Sequence, residues 1–368
     1  MPRLYTQPTL RRFGTQQYAE FMDFLESPEN NCVVQTISTP DDLLLDADGQ
    51  TKAGFRYSWS GFKSIATLLC DGLITTLLDM TGIRQSKQQK GLCDFPAAVS
   101  LFNTLVRLRF ERFHSSQMIS SIGTKTIDGI VGQSYQFLSN RRYVELLQAQ
   151  DMPAKFLAAE IVGRKMSLWL REPDPAFTVL NRNTPFPHWL GYYGSNSEGT
   201  HTSVRLTQAV YAQHGIALAD YETSGRRQVH TGSDFDNKLC EMFRQVISSA
   251  PAATFYLTHA KRADESLGLP RNQKQQDRRI DQLTSRVRRA KMPRAIAREI
   301  VMQGLLQGSD KQPDVQVTAE SGYRFPLRTR YDLVCGAMRC GLKIGTARRE
   351  AVEQVAYAIL TGSINLQE

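Results

Sequence analysis

A chain of 368 residues with 41% hydrophobic and 22% charged side chains can bury a large core, as one big domain or two smaller ones, and is too apolar for wholesale disorder. No apolar run approaches the roughly 20 residues of a membrane-spanning helix, and the opening MPRLYTQPTLRRFG lacks the apolar centre of a secretion signal, so a cytoplasmic protein is expected. The net charge of +9 is unevenly placed, and its placement carries more information than its size.

Met1 to Gly14 reads as a polar, basic lead-in without periodicity. Tyr18, Phe21, Met22 and Leu25 mark one face of a short helix over Gln16 to Leu25. Asn31 to Ser38 (CVVQTI) reads as a strand, Asp46 to Gly49 as a turn and Phe55 to Trp59 as a further strand. Ser60 then caps a helix carrying Phe62, Ile65, Ala66 and Leu69. Leu73 to Met80 continues helically, and Ile83 to Gly91 is a loop rich in Gln and Lys. Phe95 to Phe113 forms a long helix with Val99, Phe102, Leu105, Val106 and Phe110 inward and Arg107, Arg109 and Arg112 on a solvated face.

The stretch from Ile127 to Leu147, IDGIVGQSYQFLSNRRYVELL, organises the middle of the chain. Asp128-Gly129 is a turn signal, which makes Ser120 to Ile127 and Ile130 to Leu138 the two strands of a hairpin. Ser139-Asn140 caps the next helix, with Tyr143, Leu146 and Leu147 on one face. A second strand pair spans Ala158 to Arg171, broken at Gly163-Arg164, with Met166, Leu168 and Leu170 opposite Trp169. Pro173 to Pro187 reads as a loop leading into His188 to Tyr193, Gly194 to Gly199 as a polar turn and Thr202 to Leu206 as a strand. Ala209 to Leu218 fits either strand or helix. Arg226 to Gly232 (RRQVHTG) runs through Ser233, as cap, into a helix from Phe235 to Ser249.

Lys261 to Leu306 is mainly helical, divided at Gly268, Pro270 and Pro293. A strand-like VQVTAE precedes two last helices, Tyr331 to Leu342 and Arg348 to Leu360; the second buries Val352, Val355, Ala356 and Ile359. Strands cluster in the middle with helices before and after, which predicts an α+β fold: an antiparallel, hairpin-rich sheet flanked by helices, with a basic helical C-terminal region. The expected organisation is a lead-in over 1–54, an α+β core over 55–265 and a helical region over 266–368 that packs back on the core. Six dispersed cysteines, among them Cys335 and Cys340 on roughly opposite faces of one helix, read as reduced, buried thiols.

Between Lys261 and Arg298 stand twelve basic residues against four acidic ones, so this segment holds nearly all of the chain's surplus. Such concentration favours a polyanionic partner. Lys274, Arg278, Arg279, Arg286, Arg288 and Arg289 are the candidate phosphate contacts within it. Arg141 and Arg142, at a helix start beside the hairpin, are candidates for lining the same groove.

The blocks SWSGFKSIATLL, GIVGQSYQFLSNRRYVELL, YYGSNSEGTHTSVRL followed by RRQVHTGSDFDNKL, and RYDLVCGAMRCGL occur here in that order. Together they resemble a phage/plasmid-like family catalogued as a domain of unknown function, of which this chain looks like a distant member. The likeness spans roughly Phe55 to Leu360. Gln133-Ser134 departs from the family's usual small or basic pair, and its cysteine-and-asparagine step is not evident near Ala209 to His214. The resemblance implies a gene carried on phages, plasmids or integrated elements, and it implies no reaction.

Catalytic templates fail. Gly194 to Gly199 is followed by Thr200-His201 and not by Lys-Ser/Thr, and G-x-G-x-x-G, G-x-S-x-G and H-E-x-x-H are absent, which disfavours nucleotide hydrolysis and leans away from an enzyme. The six histidines show no ligand spacing; His201 and His230 could converge on a metal, but no metal or cofactor is expected. Glu160, Lys165 and Asp174 lack a nuclease's Glu-x-Lys step. His230 has two readings: a loop pin beside a helix capped by Thr231 or Ser233, or one wall of an anion pocket with Arg226, Arg227 and the free N–H groups of that helix. Tyr135, Phe137, Tyr143, Trp169, Tyr192 and Tyr193 are candidate base-stacking rings, with burial in the core as the alternative. The expected function is ATP-independent binding or annealing of single-stranded DNA by a mobile-element protein, with a homo-oligomer as an admissible state; the alternative is a phage structural or host-interaction (anti-defence) protein.

Overall fold

The computed structural model describes residues 4–70, 94–150, 155–178, 185–195, 203–212, 216–219, 226–247, 265–270, 272–307, 329–342 and 346–366. In chain order its strands are β1 (Tyr5–Thr6), β2 (Leu10–Phe13), β3 (Cys32–Thr36), β4 (Arg56–Ser58), β5 (Ser116–Ser121), β6 (Thr126–Gly132), β7 (Lys155–Val162), β8 (Lys165–Thr178), β9 (Pro185–Ser195), β10 (Ser203–Ala212), β11 (Ile216–Ala219) and β12 (Arg226–Val229). Its helices are α1 (Tyr18–Glu26), α2 (Trp59–Cys70), α3 (Phe95–Leu108), α4 (Asn140–Gln148), α5 (Phe235–Ile247), α6 (Gln273–Arg288), α7 (Arg294–Gln307), α8 (Arg330–Leu342) and α9 (Thr346–Thr361). The fold is α+β, built on two sheets.

The first sheet runs β1-β4-β6-β5-β3, with β1, β4 and β6 parallel and the rest antiparallel. Its core joins Tyr57, Ile127 and Ile130 to Phe62, Ile65 and Leu69 of α2 and to Val99, Phe102 and Val106 of α3. Helix α2 begins one residue before the expected cap, with Ser58 Oγ accepting from Gly61 N at 3.2 Å. It lies so close to β6 that a Cβ on Gly61 would overlap the Ile127 carbonyl. Asp94 caps α3 by accepting from Ala97 N, and α3 ends at Leu108, before a 3₁₀ turn over Phe110–Phe113.

The hairpin of this sheet is displaced from its expected place. Its turn is 122–125, where Lys125 takes a φ of 49°, and Asp128-Gly129 lies inside β6. Ile119 faces Gly129 while Ser120 faces Ile127, so Asp128 is the extra residue of a β-bulge. A glycine inside a strand marks a bulge as readily as a turn, and here the bulge wins because Asp128 has a buried partner, described below.

The second sheet is antiparallel throughout, in the order β11-β10-β9-β8-β7-β2, with β12 paired to β10. The β7–β8 hairpin turns at Gly163, at a φ of 61°, as its sequence predicts. Strands β8 and β9 run through much of the expected loop, with register shifts around Pro175, where a missing N–H is tolerated. Ala209 to Leu218 resolves into β10 and β11 with 213–215 outside the described residues. Phe21, Tyr143, Leu147, Met166, Leu168, Leu239 and Phe243 form the core between this sheet and α1, α4 and α5. The expected lead-in supplies strands to both sheets, β1 and β3 to the first and β2 to the second.

A third core belongs to α6, α7, α8 and α9: Ile280, Leu283 and Val287 meet Ile300, Val301, Leu333, Val334, Val352, Val355 and Ile359. Helix α8 is buried on all sides over 330–337, so Cys335 and Cys340 are both interior despite their different faces; both are reduced. The expected helix over Leu73 to Met80, the loop over Ile83 to Gly91 and the strand-like VQVTAE lie outside the described residues.

Candidate nucleic-acid interface

Helix α6 is capped by Asn272, whose Oδ1 accepts from Lys274 N at 3.0 Å. Gln276, Ile280, Leu283, Thr284 and Val287 form its buried stripe. That phase leaves Lys274, Arg278, Arg288 and Arg289 exposed, and none of the four is in an ion pair among the described residues. The exposed cations continue past the helix end through Lys291, held at a φ of 61°, to Arg294 and Arg298 one turn apart on α7.

Arg279 and Arg286 differ from these four. Arg279 Nε donates to Leu267 O at 3.0 Å and its Nη2 to Leu366 O at 2.6 Å, while Arg286 Nη1 donates to Asn365 O at 2.9 Å. Both stand beside the apolar stripe, so their heads lie over the C-terminal segment. Burial, and then the charge of Arg286, lower the pKa of Arg279 from the ordinary guanidinium value.

Arg141 and Arg142, each about half exposed, are engaged in ion pairs that tie helices together. Arg141 Nε donates to Glu145 at 2.8 Å and its Nη2 lies 3.4 Å from Glu26. Arg142 reaches Asp236 on α5 at 3.0 Å. Both pKa values are raised, Arg141's chiefly by the bond to Glu145 and Arg142's chiefly by the bond to Asp236. Arg226 and Arg227 stand on β12 opposite Leu206 and Arg205; their side chains lie outside what is described.

His230 follows the structural reading. It has no exposed surface, and its ring stacks on Tyr135 at 5.0 Å and on Phe235 at 5.2 Å. Its Nδ1 lies 3.0 Å from Gln136 O, and Gln136 N donates to the His230 carbonyl at 2.7 Å. An anion cannot reach this imidazole, so His230 leaves the binding set. The helix after it starts from Asp234, whose carbonyl accepts from Lys238 N at 3.2 Å and whose φ is 65°; this replaces the expected Thr231 or Ser233 cap.

Tyr143 and Trp169 are buried, and Tyr135 is 9% exposed, so these three are core rings; the side chains of Tyr192 and Tyr193 lie outside what is described. Glu160 is 2% exposed and held by Arg12 at 3.0 Å. His201 falls outside the described residues, and among those described no group of three or more His, Cys, Asp and Glu could hold a metal.

The sequence reading missed a buried network between the two sheets. Arg164, in the β7–β8 turn, donates through Nε to Asp128 Oδ2 at 2.8 Å and through Nη1 to Asn30 Oδ1 at 3.4 Å. Thr126 Oγ1 donates to Asp128 Oδ1 at 3.0 Å. This network floors a cleft of about 230 Å³ lined also by Thr6, Thr9, Arg11 and Ser58. An aspartate inside a strand run was its only trace in the sequence.

No family model matches the chain, and neither a curated protein nor a solved structure matches it.

Proposed function

We propose that the protein binds nucleic acid by its phosphates, through the exposed face of α6 and the corner leading into α7. The observation that carries this reading is the lack of ion-pair partners, among the described residues, for Lys274, Arg278, Arg288 and Arg289. A solvated helical face normally intersperses both signs. Here Asp277 and Asp281 are the only acids on a helix with five cations and a sixth, Arg289, at its C-cap. Such a surface concentrates polyanions and binds them by counterion release, without sequence preference.

With Tyr135, Tyr143 and Trp169 in the core, stacking by those rings supplies none of the affinity. The form of nucleic acid we infer is single-stranded DNA, handled without ATP during replication or recombination of a mobile element. Base pairing drives annealing by itself, and a cationic surface need only hold the backbones extended. The mobile-element context rests on the sequence resemblance alone.

Fluorescence anisotropy of a labelled oligothymidylate across a salt series tests the reading. The logarithm of the binding constant should fall linearly with the logarithm of salt, by about 0.7 for each phosphate contacted. Negligible binding at low salt to both single- and double-stranded DNA would refute it, and would turn the basic face toward an acidic protein surface.

A further inference from the structure

Arg279 and Arg286 are two helical turns apart and share one flank of α6. Both reach the segment that follows α9, where Gly362 takes a φ of 82° and redirects the chain. Ile364 and Leu366 are buried in the helical core, while Ser363 and Asn365 face outward. Arg330 Nη1 holds the start of the segment at Ile364 O, 3.2 Å, and Ile364 N donates to Ala358 O at 3.1 Å. The two α6 arginines hold its far end through the carbonyls of Asn365 and Leu366.

Those acceptors are neutral. Arg279's remaining contacts are Leu267 O and, at 3.3 Å, Gln282 Oε1, and no acid among the described residues pairs with either arginine. Arg330 shows the contrast, since its guanidinium is also matched by Glu265 at 2.5 Å. Carbonyl oxygens satisfy the donors of Arg279 and Arg286 but leave two like charges side by side. A phosphodiester offers the same fork geometry together with the missing negative charge.

We propose that Arg279 and Arg286 form a latent phosphodiester site, held by the carbonyl oxygens of Asn365 and Leu366, which opens when the segment after Gly362 swings away. The site rests on the nucleic-acid reading above and extends it: the exposed face captures a strand, and the two sequestered arginines then engage it. Exposure of Ile364 and Leu366 opposes the exchange, so the segment limits affinity until it is released.

Anisotropy with oligothymidylate is the test. The double variant I364S/L366S, which releases the segment without adding charge beside the two arginines, should bind about tenfold more tightly, the size of one net charge-assisted hydrogen bond. Its salt dependence should steepen by about 1.4, for two added phosphates at about 0.7 each. Adding R279Q and R286Q to that variant should return both quantities to wild-type values. An unchanged affinity and slope in I364S/L366S would overturn the latent site, while a loss of binding in R278Q/R288Q/R289Q would still support the exposed face. Absence of binding by the unmodified protein would remove both. Should I364S/L366S not fold, hydrogen exchange on the unmodified protein decides. The Ile364 amide should lose protection when oligothymidylate is bound, and retained protection would overturn the proposal.

Discussion

In the sheet-bearing part of the molecule arginines end on carboxylates: Arg12 on Glu160, Arg164 on Asp128 and Arg142 on Asp236. In the helical part, among the described residues, Arg330 alone does so, on Glu265. There Arg279 and Arg286 end on main-chain carbonyls, and Lys274, Arg278, Arg288 and Arg289 are exposed with no ion pair among the described residues. A paired arginine fastens one element to another and leaves no field behind. An arginine bonded to a carbonyl, or to water, fastens less and keeps its charge available to a partner. The first region therefore uses its cations for architecture, and we assign the second region's cations to binding.

The largest effect is expected at Arg164. R164A would leave Asp128 buried without its cation between the two sheets, and should cost about 3–5 kcal/mol in urea unfolding; a loss under about 1 kcal/mol would mean that this pair does not join the sheets. Next come two of the close backbone approaches, one from each region. A Cβ at Gly61 would overlap the Ile127 carbonyl, and one at Gly336 the Ile300 carbonyl and Gly304 backbone. Both G61A and G336A should destabilise by about 1–3 kcal/mol or more in chemical denaturation. If only G61A did so, the α7–α8 crossing would have room to adjust.

Ser139 accepts from Arg142 N at 3.0 Å at the start of α4, so S139A should cost about 1 kcal/mol, read as a lowered unfolding midpoint. R142A should be the mildest, within about 1 kcal/mol because exposed pairs are screened. It should also leave oligonucleotide affinity unchanged; a clear loss would return Arg142 to the binding surface.

Much of this fold can be read from local pattern. Ser139 as a cap, Gly163 as a hairpin turn and the Ile280, Leu283, Val287 stripe each follow from the sequence around them. The parallel β1-β4-β6 pairing does not, because it joins Tyr5, Tyr57 and Ile127 over long separations. Asp128-Gly129 carries the composition of a turn, and only its buried partner Arg164, 36 residues on, makes it a bulge. The candidate surface was half legible. The excess of cations and their helix were plain, but which arginines stay in solvent depended on partners far along the chain: Asp236 for Arg142, and Asn365 and Leu366 for Arg286 and Arg279. His230 beside Arg226 and Arg227 suggested a pocket because nothing local reveals that Tyr135 and Phe235 enclose its ring.

Exposed cations of α6 are expected to contact phosphates, and those of α4 are not. Salt-dependent binding of oligothymidylate by R278Q/R288Q/R289Q, beside R141Q/R142Q and the unmodified protein, measures this directly. The slope should fall by about 2 in the first variant, for three lost contacts at about 0.7 each, and stay unchanged in the second. Equal slopes in all three proteins, or a larger drop in R141Q/R142Q, would contradict the account.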